Sequence, residues 1–201
     1  FDDGPGKYTQ GLLDLLDKYN VKVTFFVTNT HPDYQNLIAE EAKRGHTVAI
    51  HSASHKYNQI YTSEQAFFDD LEQMNSIIKA QTGNDASIIR FPGGSSNTVS
   101  KDYCPGIMTQ LVNDVTARGL LYCDWNVSSG DANNKPISTE QVVQNVISGV
   151  QSHNVSVVLQ HDIKDFSVNA VEQIIQWGQA NGYTFLPLTT SSPMSHHRVN
   201  N

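Results

Sequence analysis

With 201 residues, of which 38% are hydrophobic, the chain is long enough for one domain with a substantial core. A formal net charge of −7 without any basic run excludes the electrostatic footprint of a protein that binds nucleic acid or an anionic membrane. No apolar stretch approaches the roughly 20 residues of a membrane span. Cys104 and Cys123 are too few for a disulfide scaffold, and the sequence leaves their pairing open.

The first residues of the chain read as the end of a strand. The chain opens without Met, and a buried strand leading into Asp2 would need about four or five residues upstream of Phe1. The sequence therefore predicts an N-terminally truncated fragment. Any export signal or membrane anchor would lie in the missing part.

The first half of the chain alternates helical and strand-like patterns. Apolar residues at helical spacing predict a helix over residues 12–19, and the next apolar run predicts a strand over residues 21–27. A helix over residues 34–44 and a strand over residues 47–50 follow, with Gly45 in between as a helix stop.

The second half repeats this order. A helix capped by Thr62 or Ser63 is predicted to run to Gly83, with one apolar stripe. The later elements are predicted at 86–91 (strand), 106–118 (helix), 120–127 (strand), 138–150 (helix), 155–160 (strand), 168–180 (helix) and 183–188 (strand). Residues 191–201 are expected to form an extended surface segment whose His196 and His197 are solvated and bind no metal.

Strands that alternate with helices through short links imply parallel pairing, either in an open doubly wound sheet or in a barrel. Counting the strand that ends at Phe1, the chain has seven strands, and polar residues follow successive strand ends. These features favour an α/β fold of the TIM-like (β/α)7 barrel type, with the active site at the C-terminal rim of the strands. No linker divides the chain, so residues 1–201 are expected to form one domain.

Two adjacent carboxylates, Asp2 and Asp3, precede a Gly-Pro pair, and His51 and His55 follow a short apolar strand. Two imidazoles and one carboxylate are a familiar ligand set for zinc or a similar divalent ion. If Asp3 is the carboxylate ligand, Asp2 points elsewhere and could accept a proton from a water molecule. The sequence therefore predicts a metal site with a base beside it.

Further polar residues lie at the predicted strand ends, and their recurrence at one end indicates a shared cleft. They are Arg90, Asp124, Asp131, His161 and Asp162. Taken singly, each has an ordinary structural interpretation. A competing hypothesis, a doubly wound binding domain with an adventitious metal site, predicts that Arg90 and His161 lie far from His51.

Five segments resemble, in order and spacing, the five motifs of the polysaccharide deacetylases, the NodB-homology or family-four carbohydrate esterase group. They are residues 1–5, 51–55, 90–93, 125–131 and 159–162. The resemblance implies a distorted (β/α)7 barrel that uses a divalent metal, most often Zn²⁺ with Co²⁺ as an alternative, to remove acetyl groups from polysaccharides. It also implies an N-acetylated glycan as substrate and a location outside the cell or in its envelope, with no protein partner.

The resemblance assigns the residues that would carry the chemistry. Asp3, His51 and His55 are expected to bind the metal, with Asp2 as general base and His161 as general acid.

The resemblance also assigns residues that would assist the metal ligands, the general base and the general acid. Arg90 is expected to orient Asp2 and keep it ionised, and Asp131 to partner His161, with Asp124 as the alternative. The backbone N–H of Gly93 is expected to stabilise an oxyanion and Leu159 to line a pocket for the acetyl methyl group.

Two departures from the family pattern bear on the substrate. Gly93 stands where the third motif usually has an aromatic residue, and Ala132 follows Asp131 where a Trp is common. Trp125 or Tyr57 could supply the aromatic surface for a sugar. The expected activity is deacetylation of peptidoglycan N-acetylglucosamine, with chitin or chitooligosaccharide deacetylase and acetylxylan esterase as alternatives. A non-catalytic glycan-binding module is disfavoured because none of the catalytic residues is lost.

Overall fold

The computed structural model describes residues 1–133 and 137–201. Its α-helices are α1 (Thr9–Lys18), α2 (Leu37–Lys43), α3 (Tyr57–Ile60), α4 (Glu64–Thr82), α5 (Ile107–Ala117), α6 (Thr139–Gln151), α7 (Asp165–Val168) and α8 (Val171–Ala180). Its strands are β1 (Thr24–Thr28), β2 (Thr47–Ser52), β3 (Ile88–Ile89), β4 (Leu121–Tyr122), β5 (Val127–Ser128) and β6 (Val158–Leu159). Two 3₁₀ helices span Pro32–Tyr34 and Val99–Asp102.

All strand pairs are parallel, in the orders β1-β2-β3-β4 and β5-β6. The N-terminal segment joins the two sheets, because Asp2 forms parallel bridges to both Phe26 and His161. The backbone hydrogen bonds are Phe26 N to Phe1 O (2.7 Å) and Asp2 N to Gln160 O (2.9 Å). The N-terminal segment thus holds the predicted place of the strand that ends at Phe1, between β1 and β6.

This arrangement confirms the predicted α/β barrel class. Seven parallel segments follow one another in space, as β4, β3, β2, β1, the N-terminal segment, β6 and β5. Within residues 1–133 and 137–201 no ladder joins β4 to β5, so the barrel is distorted at that point. The C-terminal ends of the strands share one rim, which brings together residues that are distant in sequence.

The helices with clear end signals are those that the sequence predicts best. Ser63 caps α4 by accepting a hydrogen bond from Ala66 N (3.1 Å), and Gly83 ends the helix in the left-handed conformation. Ser138 caps α6 in the same way, from Gln141 N (3.2 Å). The predicted helix over 34–44 is shorter, since Leu37–Lys43 follows a separate 3₁₀ turn, and the helix over 168–180 is replaced by α7 and α8.

Several strand predictions are wrong in extent. The predicted strand over 120–127 is two strands, because the Arg90 guanidinium binds the intervening carbonyls: Nε donates to Cys123 O (2.8 Å) and Nη2 to Asp124 O (3.0 Å). The predicted strands over 21–27, 86–91 and 155–160 form ladders only over Thr24–Thr28, Ile88–Ile89 and Val158–Leu159.

The predicted strand over 183–188 forms no ladder in the described chain. The backbone of Leu188 is bound by hydroxyl groups instead of by a neighbouring strand. Its N–H donates to Thr24 Oγ1 (2.8 Å), and its carbonyl accepts from Thr47 Oγ1 (2.7 Å).

The C-terminal tail is packed more closely than predicted. Asp124 N donates to Ser195 O (2.7 Å), and the exposed His196 ring stacks on Tyr122 with ring centroids 4.0 Å apart. His197 is half-buried, and its Nε2 lies 2.6 Å from Trp125 O, so the expectation that it is solvated is wrong. Neither histidine belongs to the metal-ligand cluster described below.

Cys104 and Cys123 are both free thiols, and burial raises the pKa of Cys123. Among the residues that the structure describes, no helix is both long and apolar enough to cross a bilayer.

Candidate metal centre and catalytic site

Asp3, His51 and His55 form a cluster that can hold a metal ion, with one potential ligand atom from each residue and all three atoms within 4.8 Å of one another. Asp3 Oδ1 lies 3.4 Å from His51 Nε2 and 3.3 Å from His55 Nε2. His51 is on β2, His55 is in the loop that follows it, and Asp3 ends the N-terminal segment. The three therefore meet where neighbouring parallel strands end.

The geometry of the cluster fits a cation. His51 Nδ1 lies 2.7 Å from Arg90 O, which can only accept, so Nδ1 donates to this carbonyl and Nε2 is the ring nitrogen that faces Asp3. Asp3 Oδ1 is buried and has no hydrogen-bond partner in the described chain. A buried carboxylate oxygen that faces two imidazole nitrogens without accepting a hydrogen bond is well placed to share a divalent ion with them.

The protonation states of the cluster also suit metal binding. Burial lowers the pKa of His55, and the neighbouring His51 lowers it further, so the imidazole is neutral near pH 7. Burial raises the pKa of Asp3, but its contact with His51 and the nearby His55 and His161 outweigh burial and bring the pKa below its ordinary value. Neutral imidazoles and an ionised carboxylate are the forms that ligate metals.

Asp2 lies beside this cluster in a buried ion pair. Arg90 Nη1 donates to Asp2 Oδ1 at 2.7 Å, and both side chains are almost completely buried. The guanidinium carbon lies 4.0 Å from the centroid of the Phe26 ring, so the arginine is held between an aromatic face and its polar acceptors. The sequence hypothesis that places Arg90 far from His51 is wrong, since the Arg90 carbonyl contacts the His51 ring.

His161 lies two residues after the end of β6 and faces the cluster, with its Nε2 3.7 Å from Asp3 Oδ2. Asp131 holds the ring: Oδ1 lies 2.8 Å from His161 Nδ1, and Oδ2 accepts from His161 N (2.8 Å) and Ser167 Oγ (2.6 Å). Burial alone would lower the pKa of His161, but the hydrogen bond and charge of Asp131, with smaller contributions from Asp3 and Asp2, raise it.

Asp124, the alternative partner of His161, is engaged elsewhere. Its carboxylate accepts from Ser95 N (2.8 Å), Ser95 Oγ (2.5 Å) and His197 N (2.8 Å). Asp124 therefore ties the tail to the loop that begins after Phe91, while Asp131 contacts His161.

We expect Asp131→Asn to move the titration of the His161 imidazole to lower pH, because the substitution removes the negative charge that raises its pKa. The measurement is the pH dependence of the His161 ring resonances by NMR. Asp124→Asn is the matched control, since it removes the same charge without touching His161. An unchanged His161 titration in Asp131→Asn would show that the contact does not set its pKa.

Gly93 and Tyr57 lie together at the rim. The Gly93 N–H has no acceptor among the described residues, and Gly93 has a positive φ of 77°. A Cβ at this position would lie 2.5 Å from the Tyr57 hydroxyl, so the tyrosine takes the space that a side chain at residue 93 would need. The Tyr57 ring also packs against His55, with centroids 5.6 Å apart, and burial with the charge of Asp3 raises the pKa of Tyr57 to about 12.

Leu159 and Trp125 complete the set of predicted site residues. Leu159 is buried on β6, two residues before His161, and belongs to none of the hydrophobic clusters of the described core. Trp125 is half-buried, and its ring meets the His197 ring edge-on. It also packs closely on Gly94, because a Cβ at that glycine would lie 3.0 Å from the Trp125 ring.

The sequence analysis missed Asp70. Its carboxylate binds the loop between His51 and His55, although it lies on α4, outside the five motif-like segments. A signal was present: residue 70 is three residues after Phe67 and four before Met74, on the apolar stripe of the predicted helix. A carboxylate on such a stripe calls for polar partners.

Comparison with known proteins gives one family and several close relatives. The family model described as "Polysaccharide deacetylase" matches residues 1–104. A curated peptidoglycan-N-acetylglucosamine deacetylase of Bacillus cereus is 32% identical over 190 residues, which are 92% of this chain. The chain covers 66% of that protein, just under two thirds of its length.

Two solved structures share the whole fold. A crystal structure of the catalytic domain of a peptidoglycan N-acetylglucosamine deacetylase from Eubacterium rectale is 98% identical, with a TM-score of 1.00 over 100% of this chain and 91% of that one. A polysaccharide deacetylase of Bacillus cereus is 31% identical, with a TM-score of 0.82 over 100% of this chain and 93% of that one.

Proposed function

Since this chain belongs to the polysaccharide deacetylase family, we propose that it hydrolyses acetyl groups from an N-acetylated glycan, with the N-acetylglucosamine of peptidoglycan as substrate. The observation that carries the proposal is the cluster of Asp3, His51 and His55, with Asp2 and His161 beside it. Relatives named as peptidoglycan-N-acetylglucosamine deacetylases support this choice of substrate.

We propose that Asp3, His51 and His55 hold a divalent ion, Zn²⁺ in the first place and Co²⁺ as an alternative. Two nitrogens and one oxygen suit zinc and leave positions free for water and substrate. When bound, the ion would polarise the acetyl carbonyl and make a water molecule easier to deprotonate.

Asp2 is proposed as the general base. It accepts a proton from the attacking water, whose oxygen forms a bond to the acetyl carbon. The Arg90 guanidinium, 2.7 Å away, holds the carboxylate in place and offsets its burial. The N–H of Gly93 is proposed to donate a hydrogen bond to the oxyanion that develops on the acetyl oxygen.

His161 is proposed as the general acid. When the bond between the acetyl carbon and nitrogen breaks, His161 Nε2 gives its proton to that nitrogen, so that acetate and a free amine leave. Asp131 favours the protonated imidazole and fixes its orientation through the 2.8 Å contact to Nδ1.

The walls of the site would select the substrate. Leu159 is proposed to contact the acetyl methyl group, because it is buried at the end of β6, two residues before His161. Trp125 and Tyr57 are proposed to pack against the sugar, since both rings are half-buried at the rim.

Acetate release from matched substrates tests the proposal. We expect the fastest release from peptidoglycan, slower release from chitooligosaccharides and the slowest from acetylated xylan. Fastest release from chitooligosaccharides or xylan would replace peptidoglycan by the chitin deacetylase or acetylxylan esterase alternative. Binding to these glycans without any release of acetate would identify a glycan-binding module.

We further propose that residues 1–201 form one secreted catalytic domain that acts at the cell wall, as the names of its peptidoglycan-specific relatives suggest. The net charge of −7 argues against nucleic acid as a partner, and no protein partner is proposed.

A further inference from the structure

We propose that Asp70 is a positioning residue that holds the histidine loop, residues 51–55, in the conformation that binds metal. The inference rests on the proposed metal site and adds a residue outside the family-like segments. The hydrogen bonds of Asp70 within the described chain go to residues between the two histidines and to none of the cluster ligands, so it acts through the loop.

The Asp70 carboxylate gathers three donors from this loop. Oδ2 accepts from Ser52 Oγ (2.6 Å) and from Ala53 N (2.9 Å), and Oδ1 accepts from Ser54 N (2.9 Å). These three consecutive residues lie between the two histidines. Because both oxygens are used and all partners are donors, the site suits an ionised carboxylate and no neutral side chain of the same shape.

The loop needs such support because His55 is strained. Its φ of 54° lies in the left-handed region, which non-glycine residues rarely adopt because the side chain is crowded there. Its N–H donates to Ser52 Oγ (2.8 Å), and the Ser52 hydroxyl in turn donates to Asp70. Asp70 thus orients the Ser52 hydroxyl so that its oxygen accepts from the His55 N–H. This chain of hydrogen bonds ends at His55, whose Nε2 must face the ion.

The position of Asp70 on its helix indicates that it serves the loop. It lies on the face of α4 that packs against β2, next to the buried Phe67, Leu71 and Met74. A carboxylate there loses hydration, which the three hydrogen bonds offset. Its neighbour Asp69 is exposed, and its side-chain hydrogen bond within the described chain is to Gln65 on the same helix, with 2.7 Å between Oδ1 and Nε2.

We expect Asp70→Asn to weaken the affinity for Zn²⁺ and Co²⁺ by about 10- to 100-fold, the usual effect of losing a partner that orients a metal ligand. The new NH₂ group would face a backbone N–H, so at least one of the three hydrogen bonds is lost. Asp69→Asn is the matched control, because it removes the same charge from the adjacent residue without touching the loop. It should bind both ions as the unsubstituted protein does.

The test is a titration of metal-free protein with Zn²⁺ and with Co²⁺, where visible absorption reports the ligand geometry around Co²⁺. Asp70→Asn should also change the Co²⁺ spectrum, which a loss of stability alone would not do. Ser52→Ala removes the hydroxyl that joins Asp70 to the His55 N–H. The double variant should bind no more weakly than the weaker single variant, because both substitutions break the same chain of hydrogen bonds.

The outcomes separate this inference from the proposed function. Unchanged affinity and spectrum in Asp70→Asn overturn the positioning role while the metal centre stands. Failure of the unsubstituted protein to bind either ion removes the metal centre, and the inference with it. If Asp70→Asn does not fold, the metal affinity of Ser52→Ala becomes the test. Normal binding of both ions by Ser52→Ala would overturn the inference.

Discussion

Removal of divalent metal is expected to lower acetate release from N-acetylglucosamine oligomers by at least about 10³-fold. A metal ion stabilises the developing charge by several kcal/mol, and each 1.36 kcal/mol corresponds to a factor of ten in rate. Chelator-treated protein should regain activity when Zn²⁺ or Co²⁺ is added. His55→Ala should lose activity to the same extent, because it removes one of the three ligands.

A matched control separates ligation from a general effect of losing a histidine. His153 is exposed just beyond the C-terminal end of α6, and among the described residues its Nδ1 contacts Gly149 O, so His153→Ala should retain full activity. Full turnover by a preparation shown to be free of metal would overturn the mechanism.

His161→Ala is expected to reduce acetate release from an amide substrate by about 10² to 10⁴-fold, the usual contribution of a general acid or base. Release from a matched ester should fall much less. An amine leaves poorly until it is protonated, whereas an alkoxide leaves more easily, so only the amide depends strongly on the proton that His161 supplies. The measurement is kcat on an N-acetyl and an O-acetyl sugar of the same length.

Equal losses on the two substrates would contradict the role of general acid. They would indicate instead that the His161 side chain orders the site, for example through the 2.8 Å contact of its Nδ1 with Asp131 Oδ1. A normal metal affinity in His161→Ala would show that the loss does not arise at Asp3, whose Oδ2 lies 3.7 Å from the imidazole.

The sequence predicts the helices of this fold better than the strands, because helix ends depend on neighbouring residues. Ser63 and Gly83 fix the two ends of α4 locally. The strands depend on distant side chains: Arg90 divides residues 120–127 into β4 and β5, and hydroxyls on β1 and β2 bind Leu188 in place of a ladder. No local pattern carries that information.

At the site, strand ends and spacing were enough to place Asp3, His51 and His55 together. They favoured Asp131 as the partner of His161 but left Asp124 as an alternative, since Asp124 lies within the predicted strand over 120–127 and Asp131 follows it. The irregular segment at residues 123–126 makes the difference, because Asp124 contacts Ser95 there and Asp131 is left beside His161. Asp70 escaped notice because a single acidic residue within a helix resembles none of the family motifs.

The packed tail links the far end of the chain to the loop that carries Gly93, the proposed oxyanion donor. His197 N binds the same Asp124 carboxylate that anchors Ser95, two residues beyond Gly93. Removal of the residues from 195 onward would leave the proposed ligands and proton-transfer groups in the chain, but it would take away the hydrogen bond from His197 N to the carboxylate that holds Ser95. We therefore expect limited digestion at the tail to affect hydrolysis more than metal binding.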